Sequence, residues 1–257
     1  MWAVRMSCRR LSTTSFAAGD TAAVRRLLEE SVKYVPRLGF TTSALSAGAV
    51  GLGMSPMAHG MCTRGAIELV EHVMEAARNQ MVDVVKTNCD PATSSKLDVL
   101  RLAIRTRLEG IIPYVNRWAE AMALGAMPHN AIQTSQNLAC LVDDIAHLAF
   151  DETVNVDWYA MRAGIGAVYV STELFMLQDR SQDYADTWAF LDRRLQEFST
   201  YATVPDQVLE HTRSAAALAW SGVTSLVSTF LPASSARHAD TIHQPPPVQP
   251  EPNPQQP

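Results

Sequence analysis

Lysine is almost missing from this 257-residue sequence: there are only three, so nearly all of the 21 basic side chains are arginine. Charged residues of both signs make up 18% of the chain, against about 25% in typical soluble domains. The formal net charge of −5 argues against a nucleic-acid-binding protein, which needs a basic face for phosphate contacts. The hydrophobic fraction of 47% excludes a wholly disordered chain because it is ample for a core.

Acidic residues are absent from the first 19 positions, which hold Arg5, Arg9 and Arg10 among several serines and threonines. A segment that is rich in Arg and Ser and poor in acid is typical of a mitochondrial transit peptide. The continuous apolar region of a secretory signal is missing. We therefore predict a transit peptide over residues 1–19 and a mature chain that is more acidic than the whole.

Motifs of catalysis are also lacking: the sequence has no P-loop, no G-x-S-x-G and no G-x-G-x-x-G. The four cysteines include no C-x-x-C pair, so they indicate neither a disulfide framework nor a zinc site. Asp143 and Asp144 lie within one helical turn of His147, a spacing that could hold a metal, but the Glu-x-x-His of a di-iron bundle is absent. We predict no enzyme activity, cofactor or metal; an enzyme with a metal at these three residues is the remaining alternative.

Alternation typical of β-strands is missing as well, whereas apolar residues recur at helical spacing from Asp20 to Leu231. The sequence therefore predicts one all-α domain of nine to ten helices over residues 20–204. Prolines, or short stretches rich in turn-forming residues, separate the predicted helices. Those with clear periodicity cover residues 23–35, 66–85, 97–112, 131–150, 157–178 and 183–201.

Residues 38–63 contain no Lys, Arg, Asp or Glu. Thr41 or Thr42 can cap the start of a helix, Gly51 and Gly53 can turn the chain, and Ser55 can cap a short second helix. Helix, glycine turn and short helix are the organisation of a helix-turn-helix, which we place at about residues 22–63. Because a DNA-reading helix carries Arg, Lys, Asn or Gln, we predict that this segment does not bind nucleic acid.

A run of 23 uncharged residues, 214–236, has a serine stripe on one side of a predicted helix. It could span a membrane, pack on the core or a partner, or lie in a membrane interface. The amphipathic pattern favours the last, as a membrane-binding helix over residues 205–232. A disordered proline-rich tail, 233–257, follows. The predicted membrane-facing side chains are Leu218, Trp220, Val223, Leu226, Val227 and Phe230.

The predicted helix that starts near residue 157 opens with two large aromatic residues, Trp158 and Tyr159. Such residues either anchor a partner or close the core. Further along this helix and on the preceding one, apolar side chains at helical spacing can line an interior, and periodicity leaves open whether that interior is filled or hollow. These residues are Leu138, Leu141, Ile165, Val168, Tyr169, Thr172 and Met176.

Four motifs in the second half of the chain resemble the coenzyme Q biosynthesis protein nine family. They are Asp157-Trp158-Tyr159-x-x-Arg162-Ala163, Val168-Tyr169-x-x-Thr172-Glu173-Leu174, Asp179-x-Ser181-x-Asp183 and Thr187-Trp188-x-Phe190-Leu191-x-x-Arg194. Shorter matches extend the resemblance over about residues 22–232.

The resemblance implies a TetR-repressor-like all-α fold that is usually dimeric and has lost DNA binding. It implies a pocket for isoprenoid lipid, including ubiquinone precursors, which we assign to the seven interior-lining residues, and contact with phospholipid on the matrix side of the inner mitochondrial membrane. The implied partners are the di-iron demethoxyubiquinone hydroxylase and the ubiquinone biosynthesis complex. Hydroxylase contacts carry over onto Asp143, Ile145, Trp158, Tyr159 and Arg162. The alternative is a TetR-type, ligand-responsive transcriptional regulator.

Overall fold

The computed structural model describes residues 18–89, 94–150 and 157–201. The predicted membrane-binding helix and proline-rich tail lie outside these residues, as does nearly all of the predicted transit peptide. Helices account for most of the described residues, and no β-strand occurs among them, which confirms the predicted all-α class.

Nine α-helices follow one another in the described part of the chain, joined by short loops and 3-10 turns. They are α1 (Ala18–Ser31), α2 (Val35–Leu38), α3 (Thr42–Gly51), α4 (Ala66–Asn88), α5 (Lys96–Glu109), α6 (Val115–Ala126), α7 (Pro128–Ala149), α8 (Asp157–Met176) and α9 (Ala185–Tyr201).

The predicted helices are present, with differences at their ends. The proline break predicted between two helices falls at Pro128, which begins α7 directly after α6 ends at Ala126 and loses no helical hydrogen bond there. The last helix begins at Ala185 instead of residue 183. Asp183 and Tyr184 adopt left-handed backbone angles, with φ of 53° and 58°, which a continuous α-helix cannot contain.

The predicted helix, glycine turn and short second element are present, the second as a 3-10 turn. The Thr41 hydroxyl caps α3 by accepting a hydrogen bond from the Ala44 amide, and the Ser55 hydroxyl accepts one from the Met57 amide at the start of the 3-10 turn Pro56–Met61. Between them Gly53 turns the chain with a φ of 72°.

Helix α3 packs closely on α1 because Gly48 has no side chain at the contact. A Cβ atom at this position would lie 2.1 Å from Ser31 Oγ and 2.7 Å from Ser31 Cα. The Ser31 hydroxyl lies at this contact and donates to the Leu27 carbonyl at 2.7 Å. This contact holds α1 and α3 together within the helix-turn-helix unit.

The main core lies where α4 packs on α5, α5 and α8 pack on α7, and α8 packs on α9. Fully buried apolar side chains include Leu100, Ile104 and Leu108 of α5 and Ile145 of α7. No helix in the described residues is long and apolar enough to cross a bilayer.

Candidate functional site

Two adjacent aspartates of α7 form ion pairs with arginines on two different helices. Asp143 Oδ1 accepts hydrogen bonds from Arg162 of α8, at 2.9 Å from Nε and 2.5 Å from Nη2. Asp144 Oδ2 accepts from Arg78 Nε of α4 at 2.5 Å. The Asp-Asp motif therefore connects α7 to α4 on one side and to α8 on the other.

These pairings bear on the metal-enzyme alternative, which requires Asp143, Asp144 and His147 to converge. The two carboxylates instead face different helices, and each meets an arginine cation. No group of three potential metal ligands occurs among the described residues.

The predicted partner-binding residues differ in exposure. Asp143 is 41% exposed and Arg162 is 19% exposed, so both can be reached from the surface. Ile145 is fully buried and belongs to the core, because it lies on the inner face of α7. Trp158 and Tyr159 lie in the first turn of α8, but their side chains are outside the described residues.

The predicted lipid-lining residues come together in the interior between α7, α8 and their neighbours. All are buried except Leu138, which is partly buried and packs against the core. Tyr169 is 1% exposed and Thr172 is fully buried, with its hydroxyl bonded to the Val168 carbonyl at 2.7 Å. The helical spacing thus placed these side chains on the interior face.

A polar cluster that the sequence did not reveal lies within this interior. The Glu173 carboxylate accepts hydrogen bonds from Trp118 Nε1 of α6 at 3.0 Å and from the Tyr169 hydroxyl at 3.2 Å. The Arg107 guanidinium of α5, 1% exposed, lies 5.8 Å from the centre of the Tyr169 ring. We call these four residues the buried polar cluster.

Burial raises the pKa of Glu173 above its ordinary value, because desolvation disfavours the charged carboxylate. The Arg107 cation and the hydrogen bonds from Trp118 and Tyr169 act in the opposite direction. Neither helical periodicity nor a matched motif in the sequence pointed to Trp118. Glu173 lies within a matched motif, but nothing in the sequence indicated that it would be buried beside Arg107.

The Asp179-x-Ser181 and Thr187-Trp188 motifs build the turn between α8 and α9. Asp179 accepts hydrogen bonds from the Ser181 amide at 2.7 Å, from the Thr187 amide at 2.8 Å and from the Thr187 hydroxyl at 2.5 Å. Burial alone would raise the pKa of Asp179, but these hydrogen bonds outweigh it and lower the pKa to about 2. These motif residues therefore hold the start of α9.

A separate pocket of about 280 Å³ lies between α1, α4 and the segment after α5. Its lining includes Glu29, His72, Gln80 and Tyr114. None of the predicted lipid-lining residues contributes to it.

The charge-free segment 38–63 presents apolar side chains to solvent. Val50 is 56% exposed, Leu52 39% and Met57 74%. A surface of this kind offers no cation to a DNA phosphate.

Known proteins are similar to this chain in sequence and in fold. The family model described as COQ9 matches residues 131–202, which include nearly all of α7 and all of α8 and α9. A mitochondrial ubiquinone biosynthesis protein COQ9 of Xenopus tropicalis is 36% identical over 190 residues, covering 72% of this chain and 60% of the relative. The human protein of that name is 34% identical over 189 residues, covering 71% and 59%. The chain thus spans about 60% of the length of these curated relatives.

The fold is also similar to the crystal structure of a TetR transcriptional regulator from Nitrosomonas europaea. The TM-score is 0.56 at 14% identity, and the match covers 69% of this chain and 98% of the regulator. At that identity the likeness concerns the fold alone, and it confirms the TetR-repressor-like architecture.

Proposed function

Because the chain belongs to the COQ9 family, whose model matches residues 131–202, we propose that it serves ubiquinone biosynthesis in mitochondria as a non-catalytic lipid-binding protein. In this proposal it binds isoprenoid lipids, including ubiquinone precursors, at the matrix side of the inner membrane. It presents them to the di-iron demethoxyubiquinone hydroxylase within the ubiquinone biosynthesis complex.

One observation carries the proposal: the matched family segment coincides with the helices that hold the candidate sites. Residues 131–202 contain all seven predicted lipid-lining residues and all five predicted partner-binding residues. Six of the seven predicted lipid-lining residues are buried on the same interior face of α7 and α8.

An isoprenoid tail needs such an apolar environment because water cannot carry it. Burial of each CH2 group contributes about 0.8 kcal/mol. The helix predicted over residues 205–232 would lie on the bilayer and bring the interior within reach of membrane-borne lipid. Its affinity would depend on apolar burial, since its polar stripe is made of serine rather than Lys or Arg.

The hydroxylase would dock at the start of α8, where Trp158 and Tyr159 follow Asp157 and where Arg162 lies one turn further along. The Arg162–Asp143 pair fixes this end of α8 against α7. A homodimer, the usual state implied by the family resemblance, is part of the proposal.

The TetR-like fold raises the alternative of a transcriptional regulator with an inducer pocket. The helix-turn-helix surface does not favour it, because residues 38–63 lack charge of either sign and expose Val50 and Met57. Salt-sensitive DNA binding by the mature chain would revive this alternative.

Lipid binding can be tested by mass spectrometry of lipids that co-purify with the mature protein. We expect bound isoprenoid lipid or phospholipid. Val168→Phe fills the interior and should lower the bound amount, whereas the matched control Ile132→Phe lies on the exposed side of α7, 73% exposed, and should not change it. Absence of lipid from correctly folded wild-type protein would contradict the proposal.

A further inference from the structure

Arg107 has two hydrogen-bond donors that the described protein does not satisfy. Its Nε and Nη1 atoms are buried and meet no acceptor among the described residues. No ion pair in the described part of the chain joins Arg107 to a carboxylate. A buried charged donor without an acceptor is costly, so native proteins normally supply a partner.

The surroundings keep this guanidinium in place without using its free donors. The Tyr169 ring lies 5.8 Å from the guanidinium carbon, and the Glu173 charge acts on it from nearby. The Trp118 indole and the Tyr169 hydroxyl already donate to Glu173 Oε1. Arg107 is therefore positioned while Nε and Nη1 remain available.

The location gives these donors a functional meaning. Tyr169 belongs both to the buried polar cluster and to the predicted lipid-lining set, and Thr172 follows one turn later on α8. An apolar molecule held along Ile165, Val168 and Tyr169 would bring one of its ends to the cluster. Trp118 and Tyr169 both donate to Glu173, so their aromatic rings lie near the cluster and suit a flat head group.

We propose that Arg107 is the polar anchor of the lipid site and donates from Nε and Nη1 to an oxygen of a flat, carbonyl- or phenol-bearing head group on an apolar tail. This inference rests on the proposed lipid-binding function and adds the head-group chemistry that the site selects. Glu173 is a positioning residue, since it acts on the head group only through Arg107, whereas Tyr169 would touch the ligand directly.

The test compares two probes with the same ten-carbon chain, decylubiquinone and the oxygen-free decylbenzene, by equilibrium dialysis against the full chain. Two charge-assisted hydrogen bonds should give wild-type protein an about ten- to hundredfold preference for decylubiquinone. Arg107→Met should reduce this preference to about twofold or less, mainly by weakening decylubiquinone binding. The control Arg78→Met removes a partly buried arginine outside the cluster and should keep the preference.

The outcomes separate the two proposals. Equal affinity of wild-type protein for both probes would overturn the anchor and leave lipid binding standing, with water as the partner of Arg107. Binding of neither probe would overturn both. An unchanged preference in Arg107→Met would also overturn the anchor.

A second measurement does not depend on the folding of a variant. In wild-type protein labelled with ¹⁵N-arginine, the Nε–H resonance that shows contact with the Tyr169 ring should shift on addition of decylubiquinone and not of decylbenzene. A resonance that responds to neither or equally to both would contradict the anchor.

Discussion

Asp143 of α7 receives both Nε and Nη2 of Arg162 of α8 on the same carboxylate oxygen, Oδ1. Both residues come from motifs that the family resemblance assigns to partner contact, and the structure pairs them within one chain. The pair therefore holds the start of α8 against α7 in the absence of a partner. A partner that uses Arg162 meets a guanidinium whose direction is already fixed.

The Asp143–Arg162 pair should make a modest contribution to stability. We expect a double-mutant cycle of Asp143→Asn and Arg162→Met, followed by urea unfolding, to give a coupling free energy of about 0.5–1 kcal/mol. The value is small because Asp143 is 41% exposed and solvent screens the attraction. Additive single-mutant effects would show that the pair does not couple α7 to α8.

Arg162→Met should weaken binding of the hydroxylase, because it removes a cation from the proposed docking surface and releases the start of α8. The matched control is Arg78→Met, which removes the equivalent pair between Asp144 and α4. Affinity can be measured by surface plasmon resonance with the purified hydroxylase. Equal losses in both variants would mean that ion pairing acts on general stability and not on docking.

The stability of the domain should depend on Asp179 at acidic pH. The pKa of Asp179 is lowered from 3.8 to about 2 in the folded protein, so its ionised form stabilises the fold above pH 3.8, and this contribution is lost as the pH falls towards 2. Asp179→Ala should cost about 1 kcal/mol at neutral pH, as the loss of a helix cap does. The difference in unfolding free energy between wild type and variant should shrink below pH 4. A difference that stays constant down to pH 2 would contradict this role.

Gly48→Ala should destabilise the domain by about 1–3 kcal/mol, because the added methyl group meets the Ser31 backbone, which cannot move without separating α1 from α3. Gly60→Ala is the matched control, since no described atom lies within 4 Å of its added Cβ. Thermal unfolding of both variants checks the prediction. A lowered melting temperature in Gly60→Ala alone would refute the close α1–α3 contact.

Trp220→Ser combined with Phe230→Ser should abolish flotation of the full chain with liposomes, because these residues supply much of the apolar face predicted for the membrane-binding helix. Substitution of Ser221 and Ser228 by alanine on the predicted polar stripe is the control and should retain flotation. Since the face carries no cation, anionic and neutral liposomes should bind about equally. Unchanged flotation of the double serine variant would exclude this helix as the membrane contact.

Local features of the fold were predictable from sequence because helical spacing and caps depend on near neighbours. The α4 pattern predicted residues 66–85 and the helix runs Ala66–Asn88; the Thr41 and Ser55 caps were also found. The start of α9 was misplaced, because the left-handed angles of Asp183 and Tyr184 depend on how Asp179 folds back over the turn.

The interactions of the candidate site were less predictable because they join residues far apart in the chain. Arg78 and Asp144 are separated by 66 positions, and Trp118 and Glu173 by 55. Helical periodicity does not reveal which charged side chain points into the core, and Arg107 lies in α5, whose sequence is otherwise that of an ordinary amphipathic helix. Arg107 and Glu173 are buried by contacts that exist only in the folded domain, so their burial could not be predicted from their local sequences.

The exposed side chains of Val50, Leu52 and Met57 have a consequence for how the helix-turn-helix surface responds to its surroundings. Counterions shield attractions between charges, and residues 38–63 carry none. Contacts made through this surface would persist as ionic strength rises and weaken on cooling, as apolar association does. A DNA-binding surface loses affinity as ionic strength rises, so the salt dependence of binding distinguishes the two kinds of surface.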